Sequence, residues 1–513
     1  MRRASTAGLL LLASGCARDA ALVLEWDPIE LADDAIRIEL VVHDDVDCDD
    51  VTSSVTFTLD DRPDLVLPAG DACFVAHARN DRCQTYAAGE RRASFPTSDR
   101  ITIVMTATDD PGCPADAVCR EDTCVRGESI GAIARAVAGR HHTCLTYATG
   151  DVQCFGLNAD GEVGQSTETV AVPATIPELF GTTGLALGGR TFTEGTSESE
   201  VTANNADESG FTCAIDAGTP VCLGANDFGE LGRGGATGDS LAHPRPEPVV
   251  DLDDAVELAL GGAFGCALRA GGGVACWGRN ALDVLGVKAD GRHSTVPVTI
   301  EGLPPVAQIA SGHAHACGVA ATSGALYCWG GNYFGALGAR TPKTFATPRR
   351  VALDLEPGDA IAGVAAGGYT TCVRTTRGDV WCWGWSDKGQ AGVETGRNAI
   401  NATPTRLDIS GVEQLALGTR FGCARGGEAV ACWGEHRFGQ LGTGTSTDAD
   451  AHPIPEAVDV AATDLSCGTH HCCALLVDGD VACWGRGSYA RLGDRETAAD
   501  APSRTSPVRV IRD

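Results

Sequence analysis

Residues 315–338 read HACGVAATSGALYCWGGNYFGALG: two cysteines eleven apart around a turn, then Trp-Gly and a tail with glycine at every third position. The arrangement occurs seven times. Its cysteine pairs are Cys144 with Cys154, Cys213 with Cys222, Cys266 with Cys276, Cys317 with Cys328, Cys372 with Cys382, Cys423 with Cys432, and Cys473 with Cys483. Internal separations run from 9 to 11 residues, and successive units lie 50 to 55 residues apart, except for 69 between the first two. A fixed period in this range marks a repeat architecture.

Each unit reads as a β-hairpin. The residue two before the first cysteine (His142, Phe211, Phe264, His315, Thr370, Phe421 or His471) shares a strand face with it, because side chains alternate at period two. Turn glycines such as Gly150, Gly272, Gly378 and Gly479 follow, and a β-rich stretch leads into the second cysteine. Facing residues of an antiparallel pair have Cα atoms about 4.5–5.5 Å apart, within disulfide reach. Each cysteine is therefore expected to bond its hairpin partner. Zinc favours ligands two to four residues apart on a knuckle, and four units lack histidines like those of HHTC, HAHAC and HHCC, so no metal is expected. His142, His315 and His471 read as structural histidines.

After the second cysteine come Trp-Gly pairs at 277, 329, 383, 433 and 484, with Phe155-Gly and Leu223-Gly as variants. The loop that follows keeps the spacing Asn332-x-x-Gly335-x-x-Gly338, with substitutions such as Ser386, His436 and Asp283 in other units. The Trp reads as an apolar wedge between neighbouring sheets, and a sugar-binding or light-absorbing Trp is the functional alternative. Gly-x-x-His-x-Cys, turn, Cys-Trp-Gly-x-Asn-x-x-Gly-x-Leu-Gly resembles the regulator of chromosome condensation repeat over residues 131–513. The resemblance implies an all-β fold: a seven-bladed β-propeller of four-stranded blades. A Pro-x-x-apolar strand stands in front of most hairpins (Pro248, Pro297, Pro348, Pro404, Pro455), the first hairpin lacks one, and Pro507 has no hairpin after it. The expectation is that the C-terminal strand completes the first blade and so closes the ring.

Residues 16–130 lack the repeat. AIRIELVV (35–42), Val55–Leu59 and ITIVMTAT (101–108) read as strands of a small disulfide-bonded, β-sandwich-like domain. Its six cysteines, Cys48, Cys73, Cys83, Cys113, Cys119 and Cys124, allow fifteen connectivities. Cys467 and Cys472 form one further pair, so every cysteine group except Cys16 is even. HDDVDCDD (43–50) has no EF-hand spacing and reads as a solvated acidic loop, with calcium as the alternative. The polar insertion Arg190–Gly210 reads as a surface loop on one rim of the propeller.

The first fifteen residues carry Arg2 and Arg3, an apolar run from Ala7 to Ala13, and Ala13-Ser14-Gly15-Cys16. That pattern resembles a bacterial lipoprotein signal peptide, which implies cleavage before Cys16, a diacylglycerol on its sulfur, and an exported protein held at the outer membrane or cell surface by lipid alone. An ordinary secretory signal is the alternative. Either way, 23 cysteines suit an oxidising compartment.

The formal charge is −29, from 68 acidic and 39 basic residues, so a phosphate backbone is repelled and nucleic acid is not an expected partner. No Gly-x-Ser-x-Gly elbow, phosphate-cradling loop or His-Glu-x-x-His is written, and no cofactor is implied. The expected function is binding of a protein or surface ligand. A cell-surface polysaccharide enzyme and a passive adhesive scaffold are the alternatives. Members of the resembled family include nucleotide exchangers for small GTPases, which an export signal argues against, and secreted β-lactamase inhibitors.

Overall fold

The computed structural model describes residues 131–512 with short gaps at 166, 190–208, 236–240, 281, 289–292 and 394–398; before residue 131 it describes only the backbone of nine strands. Residues 1–7 and 13–20, with Cys16, lie outside the described residues, as do Cys48, Cys83, Cys113 and the acidic run 44–50. The chain divides into two compact units, Met1–Ile130 and Gly131–Asp513.

In the first unit, seven strands join in one sheet in the order Gly8–Leu12, Ala21–Asp27, Ile101–Ala107, Thr85–Ser94, Asp71–Arg79, Arg37–His43, Val51–Phe57. Ala21–Asp27 and Ile101–Ala107 run parallel, and the other neighbours are antiparallel. A sandwich would divide these strands between two sheets; here the hydrogen bonds run through one. A separate hairpin, Ala117–Arg120 with Thr123–Arg126, sets Cys119 opposite Cys124.

In the second unit, blade one is typical: Ile133–Ala138, His142–Tyr147, Val152–Leu157 and Thr169–Thr175, each antiparallel to the next. Four further sheets repeat this four-stranded order. The last sheet has seven strands because Ala451–Cys467 serves twice. Its residues up to Ala461 pair with Ala429–Glu435 as the outer strand of blade six, and those from Ala462 pair with His471–Leu476 as the inner strand of blade seven. Seven four-stranded blades result.

The closure differs from the sequence expectation. Arg504–Arg509 pairs with Val481–Gly485, Cys483 facing Val508, so the C-terminal strand is the outer strand of blade seven and takes no part in blade one. The proline strands belong to the hairpins that precede them. Pro173, Pro248, Pro297, Pro348, Pro404, Pro455 and Pro507 all lie in outer strands. Proline cannot donate to a ladder, so it is favoured at a sheet edge, at the start of a strand (as Pro220 is near the start of Thr219–Gly224) or at a bulge. The ring closes by packing: Phe155 of blade one joins Cys473, Cys483, Leu492 and Val510 of blade seven in one buried cluster. Gly468, in blade seven, lies so close to blade one that a Cβ on it would meet the Gly139 carbonyl oxygen at 1.8 Å.

The core lies between blades. Trp277, Trp329, Trp383, Trp433 and Trp484 are fully buried, and each packs on the blade before its own. A β-bulge between the second cysteine and the following glycine turns this residue toward its neighbour. Gly384 shows why the bulge takes glycine: φ is +113°, and a Cβ would stand 2.2 Å from the Tyr369 carbonyl oxygen.

Candidate functional site: an arginine–aromatic rim at the axial mouth

The hairpin cysteines face each other in register on the second and third strands of each blade. Cys144 is bonded to Cys154 in blade one, Cys213 to Cys222 in blade two, and Cys266 to Cys276 in blade three. Cys317 is bonded to Cys328 in blade four, and Cys372 to Cys382 in blade five. Cys423 to Cys432 and Cys473 to Cys483 complete blades six and seven. In all seven the Cα atoms stand 4.0–4.2 Å apart, so every hairpin is stapled within itself.

The eighth bridge, Cys467–Cys472, differs, for it ties the inner strand of blade seven to the second. Cys423, Cys467 and Cys472 form a group of three metal-type ligands, but all three sulfurs are held in disulfides. With eight bridges among the described residues, the chain suits an oxidising compartment. No described helix is long and apolar enough to cross a membrane.

The three repeated histidines are joints between blades. His142 meets Thr212 of blade two, His315 meets Thr371 of blade five, and His471 meets Thr143 of blade one, each with Nε2 2.9 Å from the hydroxyl. Each hydroxyl in turn donates to a carbonyl, of Glu162, Ala336 and Arg491 respectively, at 2.8 Å. The hydroxyl proton is thereby committed, so the histidine must donate from Nε2 and stay neutral at Nδ1. Burial pushes His142 down to about 3 and His315 to about 4, and burial with the Arg491 charge takes His471 well below its ordinary value. Nε2 is committed to the threonine and Nδ1 is buried without a hydrogen-bond partner, so these side chains serve as joints.

The carbonyl they reach is the acceptor at every joint. Where a Trp is present, its Nε1 donates to the equivalent oxygen: Trp277 to Glu230, Trp329 to Val284, Trp383 to Ala336, Trp433 to Gln390 and Trp484 to Gln440, at 2.7–3.1 Å. Blades one and two, which have Phe155 and Leu223 instead, use Thr143 and Thr212 for the same acceptor. The wedge is thus also a hydrogen-bond donor, which the sequence reading did not include.

The inner strands converge on an axial cavity of about 130 Å³, lined by segments such as Ala138–Arg140, Ser311–His313 and Cys467–Thr469. Backbone bonds step from blade to blade around it: His313 N to Gly368 O at 2.7 Å, Thr419 N to Thr469 O and Thr469 N to Gly139 O at 3.1 Å. No carboxylate lines the cavity among the described residues.

Around this mouth the turns after the inner strands and the residues after Trp-Gly assemble a rim. Phe334 stacks on Trp385 with centroids 4.8 Å apart, and Tyr369 lies against both at 5.0 and 6.3 Å. The Arg420 guanidinium sits 4.2 Å over Trp385, with Asp387 and Glu435 at 3.7 and 3.8 Å. Phe438 follows, flanked by Arg486, Arg437 and His470 at 5.1–5.4 Å. Next, Tyr489 meets His141, and Arg491 bonds both the His141 ring and the Arg140 carbonyl. Burial first, and then Arg486, Arg491, Arg140 and Arg420, hold His470 neutral, far below its ordinary value; burial and Arg491 do the same to His141. In a chain of charge −29, blades six, seven and one gather five arginines at one place.

Sequence reading did not find this rim, because its members come from different units. A signal was present within the repeat. The position after Trp-Gly (Arg279, Gly331, Trp385, Glu435, Arg486) and the one before the repeated His or Phe (His141, Ala263, Ala314, Tyr369, Arg420, His470) vary while their neighbours stay constant. Both positions lie at the axial mouth. The insertion sits in that second position of blade two, between Gly189 and Gly210, and its residues 190–208 lie outside those described.

The comparisons with known proteins agree with this fold. The chain is 30% identical over 282 residues to the ultraviolet-B receptor UVR8 of Arabidopsis thaliana, covering 53% of this chain and 62% of the receptor, so less than two thirds of the receptor's length is matched. It is 26% identical over 384 residues to the secretion-regulating guanine nucleotide exchange factor of Bos taurus, covering 67% of this chain and 76% of that one. Among solved structures, human WBSCR16 superposes with a TM-score of 0.58 at 20% identity, over 70% of this chain and 94% of that one. The model of the RCC1-like domain matches residues 208–512, and the chain belongs to that family.

Proposed function

We propose that this protein is an exported propeller that binds a partner protein through the arginine–aromatic rim at its axial mouth. The composition of the rim carries the reading. Arg420, Phe438, Arg486 and Tyr489 are partly exposed and Arg437 is exposed, while Trp385, Phe334, Tyr369, Arg140 and Arg491 are buried among them; Tyr and Arg are among the residues that dominate binding energy where proteins meet. Clustered arginines in an otherwise acidic chain favour an acidic segment of the partner and attract it over distance. The Bos taurus relative is named as an exchange factor, which is consistent with an RCC1-like propeller acting on another protein. The N-terminal Arg2-Arg3, the apolar run and Cys16 support export with a lipid on the Cys16 sulfur. Incorporation of a labelled fatty acid that disappears in Cys16→Ala would establish the anchor.

A photo-crosslinking residue at Phe438, on intact cells with identification by mass spectrometry, tests the binding claim. One partner should be captured from Phe438 and not from a matched position at Val477, in a hairpin turn remote from the axial mouth. Arg486→Glu should reduce its capture about tenfold or more, as expected where a central arginine contributes roughly 1.5–3 kcal/mol. Equal capture from both positions, or products released from a glycan panel by the purified protein, would overturn the reading.

A further inference from the structure

Seven of the eight described bridges are sealed inside blades. Both cysteines of every hairpin pair are fully buried, and so is Cys472. Among the cysteines of the described residues from 131 onward, Cys467 alone is partly exposed, and it lines the axial cavity. Of these bridges, the one at Cys467 is therefore the one a thiol entering the mouth can approach. Behind it, the Cys472 sulfur lies 3.5 Å from that of Cys423, which belongs to the hairpin bridge of blade six. The sulfurs of Cys423, Cys467 and Cys472 all lie within 4.8 Å of one another. Three adjacent sulfurs, one reached from solvent and two in a dry joint between blades, form a line along which a disulfide can move.

We infer that Cys467–Cys472 is a thiol–disulfide exchange site, and that its reduction shifts a bridge into the joint between blades six and seven. A thiolate of a dithiol reductant attacks the Cys467 sulfur, a mixed disulfide forms, and Cys472 leaves as thiolate. Cys472 then attacks Cys423. The Cys423–Cys432 bond breaks, Cys423–Cys472 forms, and Cys432 leaves and takes up a proton. The second thiol of the reductant resolves the mixed disulfide, and Cys467 takes up the other proton. Overall the dithiol is oxidised to its disulfide, two protein thiols appear at Cys467 and Cys432, and one protein disulfide is lost. Exchange of this kind depends on access and on how well the leaving thiolate is stabilised. Access is through the mouth, which Cys467 lines. The product adds a covalent link between two blades already joined by their shared strand and by hydrogen bonds such as Trp484 to Gln440 and Gln414 to Asp464, so the same chemistry would alter the rim, where Arg420 and His470 come from those two blades.

Graded treatment of the intact protein with dithiothreitol, alkylation at acidic pH and peptide mapping tests this. Cys467 and Cys432 should be alkylated before any other described cysteine, together with a new peptide pair joined through Cys423 and Cys472. In the double variant Cys423→Ala with Cys432→Ala, the early label should move to Cys467 and Cys472. Early labelling of Cys467 with Cys472 in the unaltered protein would refute the transfer. Simultaneous reduction of all bridges, or a Cys467–Cys472 bond that outlasts the hairpin bonds, would refute the exchange site.

Discussion

At the joint between blades four and five, His315 donates to Thr371, which donates to the Ala336 carbonyl. The repeat writes Thr opposite His at all three such joints, and Gly265, Ala316 or Cys472 where the histidine is replaced by Phe211, Phe264 or Phe421. A large ring needs the space that the hydroxyl otherwise fills. His315→Phe alone should therefore cost about 1–3 kcal/mol by overpacking, and Thr371→Ala alone a similar amount by stranding a buried N–H. The double variant should be more stable than the sum of the two, by about 1 kcal/mol or more in chemical denaturation. The same histidines set an acid limit. They stay neutral in the fold down to about 3 and 4, whereas an unfolded histidine takes a proton near 6.5. The unfolded chain then binds more protons, so stability should be full above pH 6.5 and fall as the pH drops from there toward 4. Burial raises Glu257 to about 7, and it acts in the opposite sense. The histidine share is read from the shallower pH slope of thermal midpoints in the double variant His315→Phe with Thr371→Ala. That a histidine here is structural was legible from its strand position. Its threonine partner was not, because the two lie 56 residues apart and only the ring brings them together.

At the scale of the element, the hairpin was legible because its cysteines count equal distances from a turn. The outer strand was misassigned because chain order alone cannot say whether a strand ends one blade or begins the next. The proline in each outer strand could have decided it, since an edge tolerates what an inner position rejects. Two consequences are measurable. Replacing both Cys317 and Cys328 by Ala should lose roughly 2–3 kcal/mol by freeing a short loop of the unfolded chain, read as a shift in denaturation midpoint. Trp329→Ala should cost more, about 3–5 kcal/mol, because it empties the space against blade three and strands the Val284 carbonyl.

Across the whole molecule, the family resemblance, with seven copies of the repeat to match it, implied seven blades, while the rim stayed hidden because no short stretch of sequence contains it. Arg420, Phe438 and Arg486 each look ordinary in their own unit, and they become a surface, with the buried Trp385 beneath Arg420, only after the inner strands converge. Closure by packing, not by an exchanged strand, predicts where a truncation does harm. Removal of residues 503–513 should first strip hydrogen-exchange protection from Val481–Gly485 in blade seven. First loss in Val152–Leu157 would mean that the terminal strand belongs to blade one. The central claim, that each blade is a self-contained unit stapled within itself around a ring, is tested most directly by peptide mapping of the unreduced protein. The account predicts Cys317 joined to Cys328, the other six hairpin pairs joined likewise, and Cys467 joined to Cys472. Bridges running from one blade to the next in the fully oxidised protein, or hairpin thiols found free or holding zinc, would contradict it.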